Sequence, residues 1–256
     1  MSLFDRMKAS IGIGAAKVDA RLDNHNVVPG EEVTGEVYIL GGNIPQEING
    51  AYINIKTKVL KEVDDKKMYS DFTLFRFLVA SQFTINSKEE KIIPFSFKFP
   101  TESPISLGNT KIWVQTELDI PLAVDPSDKD AIVVNPSIST RIVLDAIDSL
   151  GFVLRKTENL SSYKSSIGLI QEFEYFARSG EFKGLLDELE VIVIPDTYGV
   201  KLLLEVDRKV RGLGSLFAET FDMDETKITL TIDNEILDQG ASVVAEQIRN
   251  IIHTYS

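Results

Sequence analysis

The chain has 256 residues, 43% hydrophobic and 26% charged, which is enough apolar side chain to build packed cores and excludes a disordered polypeptide. Its net charge of -12 opposes nucleic acid and anionic lipid as partners, and the absence of cysteine excludes disulfides, thiolate nucleophiles and sulfur-ligated zinc. All-β chains of this length commonly divide in two, so two domains are expected.

Leu3, Phe4, Met7 and Ile11 stand at helical spacing before Gly12 and Gly14, which predicts one short N-terminal amphipathic helix. The start mixes acid and base with no apolar segment behind it, so no secretory signal is expected. No apolar run approaches the roughly 20 residues of a membrane-spanning helix, and a soluble, cytoplasmic protein is the expectation.

From Val18 onward the apolar period becomes two. Ile53, Ile55, Thr57 and Val59 alternate with Asn54, Lys56 and Lys58. Ile93, Phe95, Phe97 and Phe99 alternate with Pro94, Ser96 and Lys98, and Ile112, Val114, Thr116 and Leu118 with Trp113, Gln115 and Glu117. Turn signals separate these half-buried strands at Pro29-Gly30, Gly41-Gly42-Asn43, Asp64-Asp65-Lys66-Lys67 and Pro100 to Pro104. Short strands with frequent turns predict a β-sandwich. Asn49-Gly50 is ambiguous: the pair is a strong hairpin signal, but only Ile44 to Ile48 precedes it, with Pro45 inside, so a bulge or kink entering a strand is preferred to a hairpin turn.

Near Pro136 the pattern breaks, and Ile142, Val143, Ala146, Ile147 and Leu150 share a helical face that ends at Gly151. This interdomain helix sets the expected boundary: a first sandwich over 1–138 and a second β-sandwich over 139–256. Alternation resumes in Phe152 and Leu154, in Phe173 and Tyr175, in Leu189, Val191 and Val193, in Val200, Leu202, Leu204 and Val206, and in Ile228, Leu230 and Ile232. Arg211 to Glu225 shows no clear period and reads as a loop or mobile edge. Val244, Ile248, Ile251 and Ile252 predict a C-terminal helix, with Asp238 or Ser242 available as its cap.

Val28-Pro29-Gly30-Glu31-Glu32-Val33-Thr34-Gly35-Glu36-Val37 resembles the turn and second strand of arrestin-like N-terminal domains. Ile93 to Pro100, followed by Pro104-Ile105-Ser106, resembles the arrestin-type strand and its proline-bounded crossing. Leu118 to Asp130, Gly12 to Val18, Leu150-Gly151-Phe152, Gln171 to Tyr175 and Asp187 to Val191 are similar to the bacterial sporulation-control family of the stage-zero sporulation protein M type. That resemblance covers nearly the whole chain. It implies an arrestin-like first sandwich, a β second domain, no known catalytic activity, and a regulatory role in development exerted through protein contacts. The buried charge cluster and phosphate-sensing lysines of animal arrestins have no counterparts that can be placed on this sequence.

Candidate chemistry is sparse. A Ser-His-carboxylate triad would need His25 or His253, which sit in a polar turn and at the chain's frayed end, where solvent exposure is expected. Asp125, Asp128 and Asp130, and separately Asp222, Asp224 and Glu225, offer oxygen ligands but lack the calcium-loop pattern, so they read as solvated loop acids. Gly12-Ile13-Gly14 opens a dinucleotide fingerprint that Lys17 then breaks. Trp113 could mark a ligand groove, but reads first as an aromatic packed on a two-sided sheet.

No catalytic, cofactor-binding or metal-binding residue is therefore assigned. The expected function is a non-enzymatic regulatory module that binds other proteins through sheet edges or loops, without nucleic acid or membrane and with a homodimer compatible. The alternatives are an arrestin-like trafficking or membrane adaptor and a carboxylate-based hydrolase.

Overall fold

The computed structural model describes residues 15–63, 66–121, 126–207 and 228–255, the side chains of 62 and 63 excepted. The predicted N-terminal helix, the Gly12-Ile13-Gly14 stretch, Asp125, the 211–225 loop and the acids Asp222, Asp224 and Glu225 lie outside the described residues. Within them the protein is all-β, with three helices. None of these helices is long and apolar enough to cross a membrane.

Two compact units interleave along the chain. The first holds the described residues up to Thr57, Asp71–Pro100 and Lys111–Val134; the second holds Lys58–Ser70, Thr101–Thr110 and the described residues from Asn135 on.

The first unit begins with β1 (Lys17–Leu22), β2 (Asn26–Val27) and β3 (Glu32–Leu40). The Pro29-Gly30 turn before β3 forms as predicted, with Gly30 at φ +88° and its N–H donating to the Phe99 carbonyl at 2.8 Å. There follow β4 (Gln46–Ile48), β5 (Gly50–Val63), β6 (Lys66–Ala80), β7 (Phe83–Ile85), β8 (Glu90–Lys98), β9 (Ile112–Asp119) and β10 (Ser127–Val134). One sheet runs β1-β3-β8, entirely antiparallel. A second runs β5-β9-β10-β2, with β6 on the other side of β5. The predicted alternation places Ile53, Ile55, Val114 and Leu118 in the core with Val37 and Ile39 of β3, all buried. Each such side chain contributes about 1.5–3 kcal/mol by leaving water.

Asn49 alone separates β4 from β5. Ile48 pairs with Phe83 while Gly50 pairs with Asp119, so the chain kinks from one sheet into another, and the Asn-Gly pair makes no hairpin.

The second unit opens with α1 (Ile138–Ser149), whose N-cap Ser137 accepts from the Thr140 N–H and whose buried face carries Val143, Ala146 and Ile147. Gly151 closes it at φ +88°, and a Cβ there would stand 2.3 Å from the Ser179 carbonyl oxygen, so no other residue fits without displacing that loop. Strands β11 (Phe152–Ser161), β12 (Leu169–Ala177), β13 (Glu188–Asp196), β14 (Gly199–Asp207) and β15 (Ile228–Asp233) form one antiparallel sheet in chain order. The end of β5 joins β11 at Leu60 and Leu160.

Two helices finish the chain: α2 (Asn234–Leu237) and α3 (Ala241–Tyr255). Helices α1 and α3 pack on each other and against the sheet. The alternation anticipates the strands of this unit, but the layer facing its sheet is helical. Asp238 closes α2 and Ser242 lies inside α3, so neither is the expected cap of α3, whose first turn starts from the Gly240 carbonyl; α2 has its own capping carboxylate in Asp233, which accepts from the Ile236 N–H at 2.9 Å.

Candidate functional site

From Ala51 to Ala80 the sequence contains neither glycine nor proline, and it folds into two long strands, β5 and β6. Among the described residues β6 hydrogen-bonds to β5 alone, so its other edge carries a row of backbone donors and acceptors without a neighbouring strand. Natural edges are normally shortened or interrupted. Strand β8, the edge of the other sheet, has Pro94 at its centre and so lacks a donor there. No such residue interrupts the 15 residues of β6.

Its charged side chains, Lys66, Lys67, Asp71 and Arg76, leave apolar ones uncovered among them. Met68, Tyr69 and Leu78 are 58%, 60% and 59% exposed. Phe75 and Phe77 are half-buried and stack toward β8, with the Phe77 and Phe97 rings 4.1 Å apart and the Phe95 and Phe97 rings 5.8 Å apart. Leu74 and Phe75 are both covered, so the inward phase of β6 shifts by one residue between them. The four rings close the seam between the two sheets at the edge where β6 ends the larger one.

The opposite face of this sheet is polar and ordered. The Arg76 guanidinium lies 3.8 Å from the centre of the Tyr52 ring and 3.3 Å from Glu117, which also accepts from Asn54 at 3.1 Å. Lys129 lies 3.7 Å from the centre of the Trp113 ring. Trp113 is buried as the packed aromatic expected, and its Nε1 finds no acceptor among the described residues.

Two groups of acids compete for attention. Asp19 of β1 meets Asp128 and Asp130 of β10, with carboxylate oxygens all within 4.8 Å. Asp128 and Asp130 are therefore half-buried strand residues, not the loop acids expected, because β10 starts at Ser127. Burial, then a hydrogen bond and the charge of Asp128, push Asp130 up to about 6. Three such oxygens suit a hard cation in kind, but Arg21 already pairs with Asp19 at 3.1 Å.

In the second unit the face of the sheet carrying Leu160, Ile170, Ile192 and Leu203 also carries a ladder of glutamates. Glu158 stands opposite Glu172, Glu174 opposite Glu190, and Glu190 opposite Glu205. Burial first, then the charges of Glu172 and Glu205, push Glu190 up to about 9. At the end of the ladder Glu158 accepts from the Tyr69 hydroxyl at 2.7 Å and pairs with Lys156 at 2.7 Å, and the bond to Glu158 helps push Tyr69 up to about 12. These facing carboxylates stand on a sheet face beside a buried apolar cluster, crowded by like charges, and not in a cleft of the kind the hydrolase alternative requires. His25 and His253 are both exposed, and His253 bonds Glu181 at 2.9 Å.

The family model described as SpoOM protein (Spo0M) matches residues 4–210 of this chain. The chain belongs to the Spo0M family. It is 35% identical over 258 residues to the sporulation-control protein spo0M of Bacillus subtilis (strain 168), an alignment that covers all of both chains. It also superposes on the crystal structure of Spo0M from Bacillus subtilis with a TM-score of 0.87 and 34% identity, covering 95% of this chain and 100% of that one. The resemblance read from the Leu118 to Asp130, Gly12 to Val18, Leu150-Gly151-Phe152, Gln171 to Tyr175 and Asp187 to Val191 stretches thus identifies the right family.

The edge of β6 escaped the sequence reading of this Spo0M-family chain. Its phase shift at Leu74 and Phe75 hides the period of two, and Lys66 and Lys67 resemble turn residues although β6 begins with them. The signal that could have revealed it is the long run without glycine or proline.

Proposed function

We propose that this chain is a sporulation-control regulator that works by binding other proteins and not by catalysis, with the outer edge of β6 as its binding surface. Full-length likeness to the Bacillus subtilis sporulation-control protein supports the role. The single observation that carries the mechanism is the 15-residue edge strand with one described neighbour and three exposed apolar side chains. Such an edge accepts a partner's strand readily, because main-chain hydrogen bonds supply affinity and side-chain pockets supply choice. In this reading the first unit is an arrestin-like sandwich, the two units act as domains, and the protein works in the cytoplasm.

The test replaces the chromosomal copy with the double variant Met68→Glu and Leu78→Glu. Both positions face solvent, so the melting temperature should move by less than about 2 °C, as surface substitutions usually do. Spore counts should change as much as they do on deletion. Wild-type sporulation in the double variant would refute β6 as the surface, and unchanged sporulation on deletion would refute the role.

A further inference from the structure

We infer that the edge of β6 receives an extended protein segment in which apolar side chains alternate with carboxylates, an inference that rests on the reading of this protein as a protein-binding regulator. A new strand beside β6 continues its sheet, and its side chains fall alternately on the two faces. On the inner face they meet Phe75 and Phe77, whose rings, stacked with Phe97, are only half-buried. An apolar side chain there covers aromatic surface still in contact with water.

Charge selects the other face. By that alternation and the phase shift at Leu74 and Phe75, Lys67 and Arg76 stand on this face against Asp71, a cationic balance in a chain whose net charge is -12, while Lys66 falls on the inner one. Arg76 is held by Glu117 and Tyr52, and its side chain remains 49% exposed. An incoming carboxylate gains a partner there, whereas an incoming lysine meets like charge. Nucleic acid offers no strand of peptide donors and acceptors. Strand β8 is the weaker site because Pro94 breaks its donor row.

The probe is a capped nine-residue peptide alternating valine and glutamate, compared with its valine and lysine counterpart by fluorescence anisotropy on the full chain. The glutamate peptide is expected to bind at least about tenfold tighter at low salt, with the gap closing as ionic strength rises. Amide exchange should slow along β6 and stay unchanged along β8. Arg76→Glu, and independently Lys66→Glu with Lys67→Glu, should bring the preference to parity or invert it while circular dichroism stays that of the wild type. The double lysine variant leaves the Arg76 to Glu117 pair intact, so a folding defect in the first does not decide the matter.

Equal binding of the two peptides, protection outside β6, or a dimer whose β6 amides are already protected without peptide would each overturn the inference. Failure of both peptides alongside a sporulation defect in the Met68→Glu, Leu78→Glu variant would overturn the acidic strand and leave the regulatory reading standing. Tight binding of the glutamate peptide with no sporulation defect would do the reverse.

Discussion

Glu190→Gln is expected to raise the melting temperature at pH 8 by roughly 2–6 °C and to leave it almost unchanged at pH 4. Glu190 is half-buried on a sheet face that also holds Glu172, Glu174, Glu188 and Glu205, and its pKa is pushed from 4.5 up to about 9. A carboxyl with a raised pKa in the folded state binds its proton more tightly there than in the unfolded chain. The stability it contributes is therefore complete below about pH 4.5 and is lost as the pH rises toward 9. At pH 8 the unfolded chain has released this proton at little cost, while the folded chain either holds it against the solution or bears a charge among like charges. Glutamine keeps the shape and removes the ionisation, so about 1–2 kcal/mol should return once solvent screening is allowed for. Thermal melts of both proteins from pH 4 to pH 9 decide it, and parallel curves at all pH values would show that the glutamate ladder does not act on stability.

Phe182→Ala is expected to cost about 3–5 kcal/mol, a fall in melting temperature on the order of 10 °C. Phe182 is fully buried, stacks on the buried Phe152 ring at 5.5 Å and meets the His253 ring tilted at 5.0 Å, so it joins β11 to the last turn of α3. Alanine would leave a ring-sized cavity under that helix. The neighbouring Glu181 holds Arg249 at 2.7 Å and His253 at 2.9 Å, but these side chains are all near half-exposed. Glu181→Gln should accordingly cost less than about 1 kcal/mol. Urea melts of the two variants separate packing from ion pairing: equal losses would mean that the helix is held by its charges.

Much of the architecture was readable from local pattern. The alternations in β5, β8, β9 and β15 reflect one covered face each, those in β12 to β14 the more apolar of two covered faces, and the α1 face ending at Gly151 reflects a left-handed cap that the structure shows at φ +88°. What local pattern omits is pairing. The glutamates of β11 to β14 look like ordinary polar positions in sequence, and only the register sets Glu174 against Glu190 and Glu190 against Glu205. Asp128 and Asp130 read as loop acids because Asp19, which they face, lies more than a hundred positions earlier in the sequence. The interleaving of the two units was hidden for a related reason, since β5 and β6 are each a single strand that passes from one unit into the other. Periodicity in β13 and β14 announces a buried face without saying whether strands or helices bury it.

The edge of β6 is the feature on which the functional account stands, and a photo-crosslinking amino acid at Leu78 addresses it inside the cell. Leu78 is exposed on β6; Tyr198, 82% exposed at the turn between β13 and β14, serves as the control. Ultraviolet light on sporulating cells should yield a discrete protein adduct from position 78 and none from position 198. Adducts of equal yield from both positions, or none from position 78, would contradict a partner strand on β6.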